Sequence, residues 1–246
     1  MPIFAKLEIC RDATPRSAAM NMAIDEALVE AAKVPTIRFY RWKSPALSFG
    51  YFGKFADVVN YVTKRDLVRR WTGGGIVFHG DDLSYSIIIP ATEPAFGESP
   101  KSIYQKVHYA LRDALAANGG RAELAAMGGD ATLRRPRTAR CAAPSNVCFA
   151  NPVRADVMVN GRKVAGAAQR RTHAGLLHQG SIQLATGLVR VAAAIGHVDL
   201  GNGLAERFAR ELSEVRNEKS LSNSLVERAE KIAEQKYNTQ NWLQRR

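Results

Sequence analysis

Cysteine is scarce. The 246 residues hold three, Cys10, Cys141 and Cys148. An odd and sparse set excludes the disulfide framework of a small secreted domain and fits a reducing compartment, the cytoplasm. Long apolar runs are missing too, so no transmembrane helix is expected. The opening MPIFAKLEICRDATPRS lacks the basic region and apolar run of a secretory signal. No Ser- or Pro-rich linker and no internal repeat divides the chain. At roughly 100–200 residues per domain it is one large domain or two small ones. Acidic residues are in short supply: 23 Asp and Glu face 35 Lys and Arg, a formal charge of +12. Such a balance suits nucleic acid, an anionic membrane surface or an acidic protein.

Several familiar binding patterns are absent. The GxxxxGK[ST] phosphate loop and the GxGxxG dinucleotide pattern are not found. His79, His108, His173, His178 and His197 lack ligand spacing with Cys or Asp/Glu, so no metal site is expected. What is present is apolar: 46% hydrophobic residues suffice for a substantial core without staples.

Residues 16–33 predict a helix, with Ala19, Met22, Ala23, Ala27 and Leu28 at three- and four-residue spacing. On it, Asp25 and Glu26 read as a surface or capping feature. TIRFYRW (36–42) and ALSFGYF (46–52) read as strands, Gly50 marking a close backbone approach or a bulge. A short helix then leads to a strand near Val68. TGGGIVFHGDDLSYSIIIP (72–90) reads as a glycine-led hairpin, and 101–117 as an amphipathic helix stopped by Asn118-Gly119-Gly120. Residues 127–150 are irregular. ADVMVNGRKVAGAAQRR (155–171) is a hairpin turning on Asn160-Gly161, LLHQGSIQL (176–184) is a strand, and the tail from about 186 is mostly helical. Strands in hairpins favour an α+β fold.

Two hairpins carry candidate chemistry. The first holds Arg69, Arg70, Gly73, Gly74, Gly75 and His79. Glycines without Cβ atoms let main-chain N–H groups approach an anion, which adjacent arginines neutralise; the alternative is a loose turn. The second holds Lys163, then Gly166 and Ala167. A lysine among small residues can steady an oxyanion, or it is simply solvated at a hairpin tip. Cys148 in SNVCFANP is either a small buried residue or a thiolate nucleophile. Cys10 reads as structural. Arg134, Arg135, Arg137 and Arg140 form the densest basic cluster, a solvated loop or a docking patch.

Read together, these segments resemble the lipoate-protein ligase and octanoyltransferase family. RRWTGGGIVFHGDDLSYSIIIP resembles its RRxTGGGxVxH…LxYS segment, and ADVMVNGRKVAGAAQRR with LLHQGSIQL resembles its Lys hairpin and following strand. AAMNMAIDEAL, SPALSFGYF and the closing EQKYNTQNWLQRR are similar to further family segments, so the likeness runs from about 14 to 242. It implies the α+β fold of biotin ligases and class II aminoacyl-tRNA synthetases, a mixed, largely antiparallel sheet flanked by helices. It also implies one catalytic-type domain over 1–246 with a helical segment from about 186. Arg70, Gly73, Gly74, Gly75 and His79 match the acyl-binding hairpin. Lys163 matches the lysine at the reacting carbonyl, with Gly166 and Ala167 as the adjacent wall.

The family holds two chemistries. Transferases take octanoyl groups from acyl carrier protein through a cysteine in a C-F-x-x-P segment, which CFANP (148–152) matches. They use no cofactor. ATP-dependent ligases form an acyl-adenylate and need ATP and Mg; the three glycines and the K-Y-x-x-x-x-W tail are similar to theirs. The resemblance favours the transferase, moving an octanoyl or lipoyl group, with Cys148 as nucleophile and Lys163 stabilising the oxyanion. Its partners would be acyl carrier protein, and lipoyl domains or the glycine cleavage H protein, not nucleic acid or membrane. Because such carriers are acidic, Arg134, Arg135, Arg137 and Arg140 become a candidate docking surface. A non-catalytic basic module of the same fold is the remaining alternative.

Overall fold

The computed structural model describes residues 2–80, 82–117, 121–126, 152–183 and 203–245. The expectations for Cys148, Cys141, Arg134, Arg135, Arg137, Arg140 and the stop at Asn118-Gly119-Gly120 therefore lie outside the described residues.

The chain begins with β1 (Lys6–Arg16), α1 (Ala18–Ala31) and β2 (Thr36–Trp42). Ser17 caps α1, its hydroxyl accepting from Met20 N at 3.3 Å. β1 and β2 run parallel as neighbours. Next come β3 (Ala46–Phe49), β4 (Asp66–Arg69), β5 (Val77–His79) and β6 (Asp82–Pro90). α2 (Pro100–Ala116) starts at a Ser99 cap with proline in its first turn. β7 (Ala122–Leu124), β8 (Val157–Val159), β9 (Arg162–Arg171) and β10 (Gly175–Gln183) follow. The last elements are α3 (Leu204–Leu212), β11 (Val215–Glu218), α4 (Asn223–Ile232), a single π turn at Ala233–Tyr237, and α5 (Gln240–Leu243).

The large sheet has the order β11-β1-β2-β6-β10-β9-β8-β7. Only the β11–β1 and β1–β2 pairings are parallel; the rest are antiparallel. The expected α+β class, with a mixed and largely antiparallel sheet flanked by helices, is therefore what the chain adopts. β6 sits between β2 and β10 with all nine residues buried. Its side chains alternate between two cores. Ile87 and Ile89 pack with α2 and α3, while Ile88 packs with α1 and the C-terminal helices. Burial on both faces explains why this strand reads as a continuous apolar run.

Two expectations change. The stretch 72–90 is not one hairpin: β5 pairs with β3, which also pairs with β4, in a separate small sheet, while β6 belongs to the large one. The chain crosses between sheets at His79–Asp82, which puts both ends of that corner beside the cleft described below. The described part of the tail, 203–245, is mostly helical as expected, with β11 as one parallel edge strand. Asp25 is neither surface nor cap. It is fully buried and accepts from Arg38 Nη1 at 2.8 Å, Ser86 Oγ at 2.8 Å and Gln179 Nε2 at 2.7 Å. Its neighbour Glu26 accepts from Lys236 Nζ and Tyr237 Oη, both at 2.6 Å.

The Asn160-Gly161 turn is as expected, with φ of 50° and 72° at the two positions, the left-handed pair that a two-residue hairpin turn requires. Cys10 is buried, and burial pushes its thiol up to about 11, which keeps it an inert packing residue at neutral pH. Among the described residues, no helix is long and apolar enough to cross a membrane.

Candidate active site

A narrow cleft opens where the small sheet meets β9 and β10. Met22, Tyr40, Trp42 and Val77 give it an apolar wall; Ser48, Arg70, Gly74 and His79 line one polar side, and Gly166 and Ala167 the other.

The glycine loop is shaped from within. Arg70 donates to Gly73 O at 2.9 Å, Gly75 O at 2.8 Å and Ser48 Oγ at 2.7 Å. Its role in the structure is thus to brace the loop and the cleft wall. A Cβ on Gly50 would collide with the Gly73 and Gly74 backbone. The close approach expected at Gly50 is therefore real, and its partner is the glycine loop itself. Arg69 turns away. Its guanidinium is fixed by the carbonyls of Tyr51, Gly53, Trp242, Leu243 and Arg245, and Trp242 Nε1 donates back to Arg69 O at 2.9 Å. The expectation that Arg69 would help neutralise an anion in the cleft fails. It spends its donors instead on anchoring the C-terminal segment to the loop.

His79 is held on three sides. Nε2 lies 2.7 Å from Ser48 Oγ, Nδ1 lies 2.8 Å from Asp82 Oδ2, and Trp42 stacks on the ring at 4.0 Å. Because Arg70 occupies one lone pair of Ser48 Oγ, the hydroxyl proton is free to point at Nε2, leaving Nδ1–H for Asp82. Burial works against the Asp82 charge. The adjacent His79, with donors from Ser181 and Ser84, nonetheless holds the carboxyl below its ordinary range.

Lys163 stands near the start of β9, where Val157 pairs with Ala165 but Met158 pairs with Lys163. The extra residue, Val164, is a β-bulge. In a regular strand, positions three apart face opposite sides. The bulge restores Lys163 and Gly166 to one face. The lysine then folds over Gly166: a Cβ there would lie 2.5 Å from Lys163 Cε and 2.7 Å from Nζ. Lys163 is not solvated at a hairpin tip. It is 6% exposed, and Nζ lies 2.7 Å from Asp156 Oδ2. Asp156 also accepts from Tyr104 Oη at 2.5 Å and Val153 N at 2.6 Å. Ala167 N donates to Tyr104 Oη at 3.2 Å, so this N–H is directed away from any ligand.

The two sides are tied by one polar chain. Arg38 bridges Asp12 and Asp25, Asp25 accepts from Gln179 Nε2, and Gln179 Oε1 accepts from Thr72 Oγ1 at 2.7 Å, just before the glycines. Tyr85 and the buried His108 and His178 pack behind the Lys163 side. Burial lowers His108 to about 4, and Nδ1 is 2.6 Å from Ala155 O. Both histidines are therefore neutral packing groups near pH 7.

The structure thus brings together Arg70, Gly73, Gly74, Gly75, His79, Lys163, Gly166 and Ala167. Sequence reasoning missed Ser48, Asp82, Asp156, Tyr104 and Gln179. Asp156 stands at the head of the Lys hairpin and Ser48 just before Gly50, both inside segments already singled out. Tyr104 carries no local signal. Among the described residues, no group of three or more His, Cys, Asp or Glu side chains gathers as a metal site.

Comparison with known proteins gives the same frame. A family model described as the lipoyl protein ligase A/B catalytic domain matches residues 17–229. Octanoyltransferase LipM of Bacillus cereus is 38% identical over 180 residues, covering 68% of this chain and 62% of that protein. The protein of the same name from Clostridioides difficile is 38% identical over 174 residues, covering 68% and 61%. The match thus spans about three-fifths of those relatives' length. Among solved structures, lipoate-protein ligase A bound with ATP superposes with a TM-score of 0.72 at 21% identity, covering 99% of both chains. A bipartite lipoate protein ligase from Thermoplasma acidophilum gives 0.69 at 20% identity, covering 98% of this chain and 96% of that one. At such identity these structures establish the fold.

Proposed function

Because the chain belongs to the lipoyl protein ligase A/B catalytic domain family, we propose that it is an octanoyltransferase of protein lipoylation. It acts in the cytoplasm, and its donor is octanoyl–acyl carrier protein. Its acceptor is a lysine of a lipoyl domain or of the glycine cleavage H protein. The observation that carries this reading is the Lys163 ammonium, folded against Gly166 beside an apolar cleft. The name octanoyltransferase on relatives 38% identical supports it, as does the CFANP segment at 148–152.

The reaction runs in two acyl transfers. The Cys148 thiolate attacks the thioester carbonyl, the new carbon–sulfur bond forms, and the carrier thiol leaves with a proton. The acceptor lysine, as the free amine, then attacks the acyl-cysteine. An amide forms, the Cys148 thiolate is released, and the amine loses its proton to solvent or, through the Ser48 hydroxyl, to His79. In both steps negative charge grows on the carbonyl oxygen, and Lys163 answers it from a water-poor setting. The cleft wall of Met22, Tyr40, Trp42 and Val77 holds the aliphatic chain.

The test is donor choice. Octanoyl–acyl carrier protein and a lipoyl domain, mixed with the enzyme and no ATP, should yield octanoylated lipoyl domain. Modification that ignores this donor and needs free lipoate with ATP would replace the transferase by the ligase reading, to which the three glycines and the K-Y-x-x-x-x-W tail belong.

A further inference from the structure

Past Ala168, β9 leaves the cleft and enters a cluster of rings and cations. Arg170 Cζ lies 5.1 Å from the Tyr51 ring centre and 5.4 Å from that of Trp71. Arg245 Cζ lies 4.8 Å from Tyr51 and 5.6 Å from Trp242. Lys236 Nζ lies 4.6 Å from Trp71 and 4.4 Å from Trp242. Glu26 answers Lys236 at 2.6 Å. Among the described residues, the guanidiniums of Arg170 and Arg245 have these ring contacts but no hydrogen bond or ion pair.

Two features make this a receptor for an anion. Each guanidinium offers five N–H donors in a planar fork, and both lean on the one Tyr51 ring. The ring contacts confine both side chains beforehand, so less rotamer freedom is lost when an anion arrives. The three positive charges also face one carboxylate. Burial lowers the Lys236 ammonium, and the fields of Arg170 and Arg245 push the same way despite Glu26. An oxyanion relieves that repulsion.

Position says which oxyanion. Ala168 lines the cleft and Arg170 is two residues on, on the same strand face. From Gly166, where Lys163 lies, four strand residues to Arg170 span about 13 Å. We propose that Arg170 and Arg245 bind the phosphodiester of the pantetheine arm on which a carrier protein presents its acyl thioester. This rests on the transferase reading above. By backbone-like bond geometry an extended arm runs roughly 15 Å from phosphorus to sulfur. A phosphate held at Arg170 therefore leaves the thioester beside Gly166 and Lys163.

Three donors test it: octanoyl-pantetheine, which has no phosphate, octanoyl-phosphopantetheine, and octanoyl–acyl carrier protein. For the wild-type chain kcat/KM should be higher for the phosphorylated small donor. In Arg170→Ala and Arg245→Ala the ratio of kcat/KM for phosphorylated over unphosphorylated donor should fall about tenfold, through KM. Arg170→Lys should recover part of it, and unchanged thermal melts would show that the variants fold. An unaltered ratio would overturn the assignment. So would a loss seen with the carrier protein alone, which would make the arginines a protein-docking surface. Wild type that transfers from none of the three donors would remove the transferase reading and this inference together. Transfer from all three at equal efficiency would remove this inference alone.

Discussion

Replacing Lys163 by alanine should lower the turnover of octanoyl transfer by about 10²–10³-fold, the usual loss when one preorganised oxyanion donor is removed. The size of the effect follows from where the lysine is. Its side chain is 2% exposed and set by an ion pair at 2.7 Å, so the charge needs no reorganisation as the tetrahedral intermediate forms. The substitution should leave a folded protein. Asp156 keeps its donors from Tyr104 and Val153 N, and the bulge at Val164 is a backbone feature. Lys163→Arg should not rescue, because the side chain must pass over Gly166 in space that a single methyl group would already fill. Steady-state kinetics beside a thermal melt measures both halves. Turnover within threefold of wild type in a folded Lys163→Ala chain would remove the lysine from the chemistry.

Asp25→Ala should destabilise the fold by about 3–5 kcal/mol, the cost of removing one member of a buried ion-pair cluster, here together with the acceptor of Ser86 and Gln179. Arg38 is fully buried, and Asp12 alone would remain to answer it, with Asn21 Oδ1 and O as neutral acceptors. For a chain of this length the loss corresponds to a Tm lower by roughly 6–20 °C. Asp25 also fixes Gln179, which fixes Thr72 ahead of the glycine loop, so turnover in the surviving folded fraction should fall as well. Asp25→Leu combined with Arg38→Met removes both charges and should recover much of the stability. Denaturant titration of the single and double variants decides the matter. A single variant as stable as wild type would mean that Asp25 is not holding Arg38.

The parts that the sequence made legible are those whose signals are local. Asn160-Gly161 demands a turn, SYSIIIP demands burial on both faces, and the glycine run demands backbone access. What stayed hidden depends on distant pairing. β5 and β6 are adjacent in the chain, so a hairpin is the natural reading. Their partners lie in different sheets, and no local residue announces it. β1 mixes charged and apolar residues because it is an interior strand with ion-paired side chains such as Asp12. β11, exposed at the sheet edge, has no apolar alternation to find. Asp25 shares a helix face with Ala18, Met22 and Asn21, all buried. An acid on such a face needs a buried cation from elsewhere, and of the two arginines in TIRFYRW it is Arg38 that is buried against it. Lys163 was found by its small neighbours, while the Asp156–Tyr104 support that makes it rigid comes from α2, far away in sequence.

The proposed mechanism turns on an acyl group carried on Cys148. It is tested most directly by incubating the protein with octanoyl–acyl carrier protein in the absence of ATP and of any acceptor, then measuring intact mass. The expected result is a gain of one octanoyl group that hydroxylamine removes and that Cys148→Ala abolishes. A chain that gains no mass, or that gains it equally in Cys148→Ala, would contradict it.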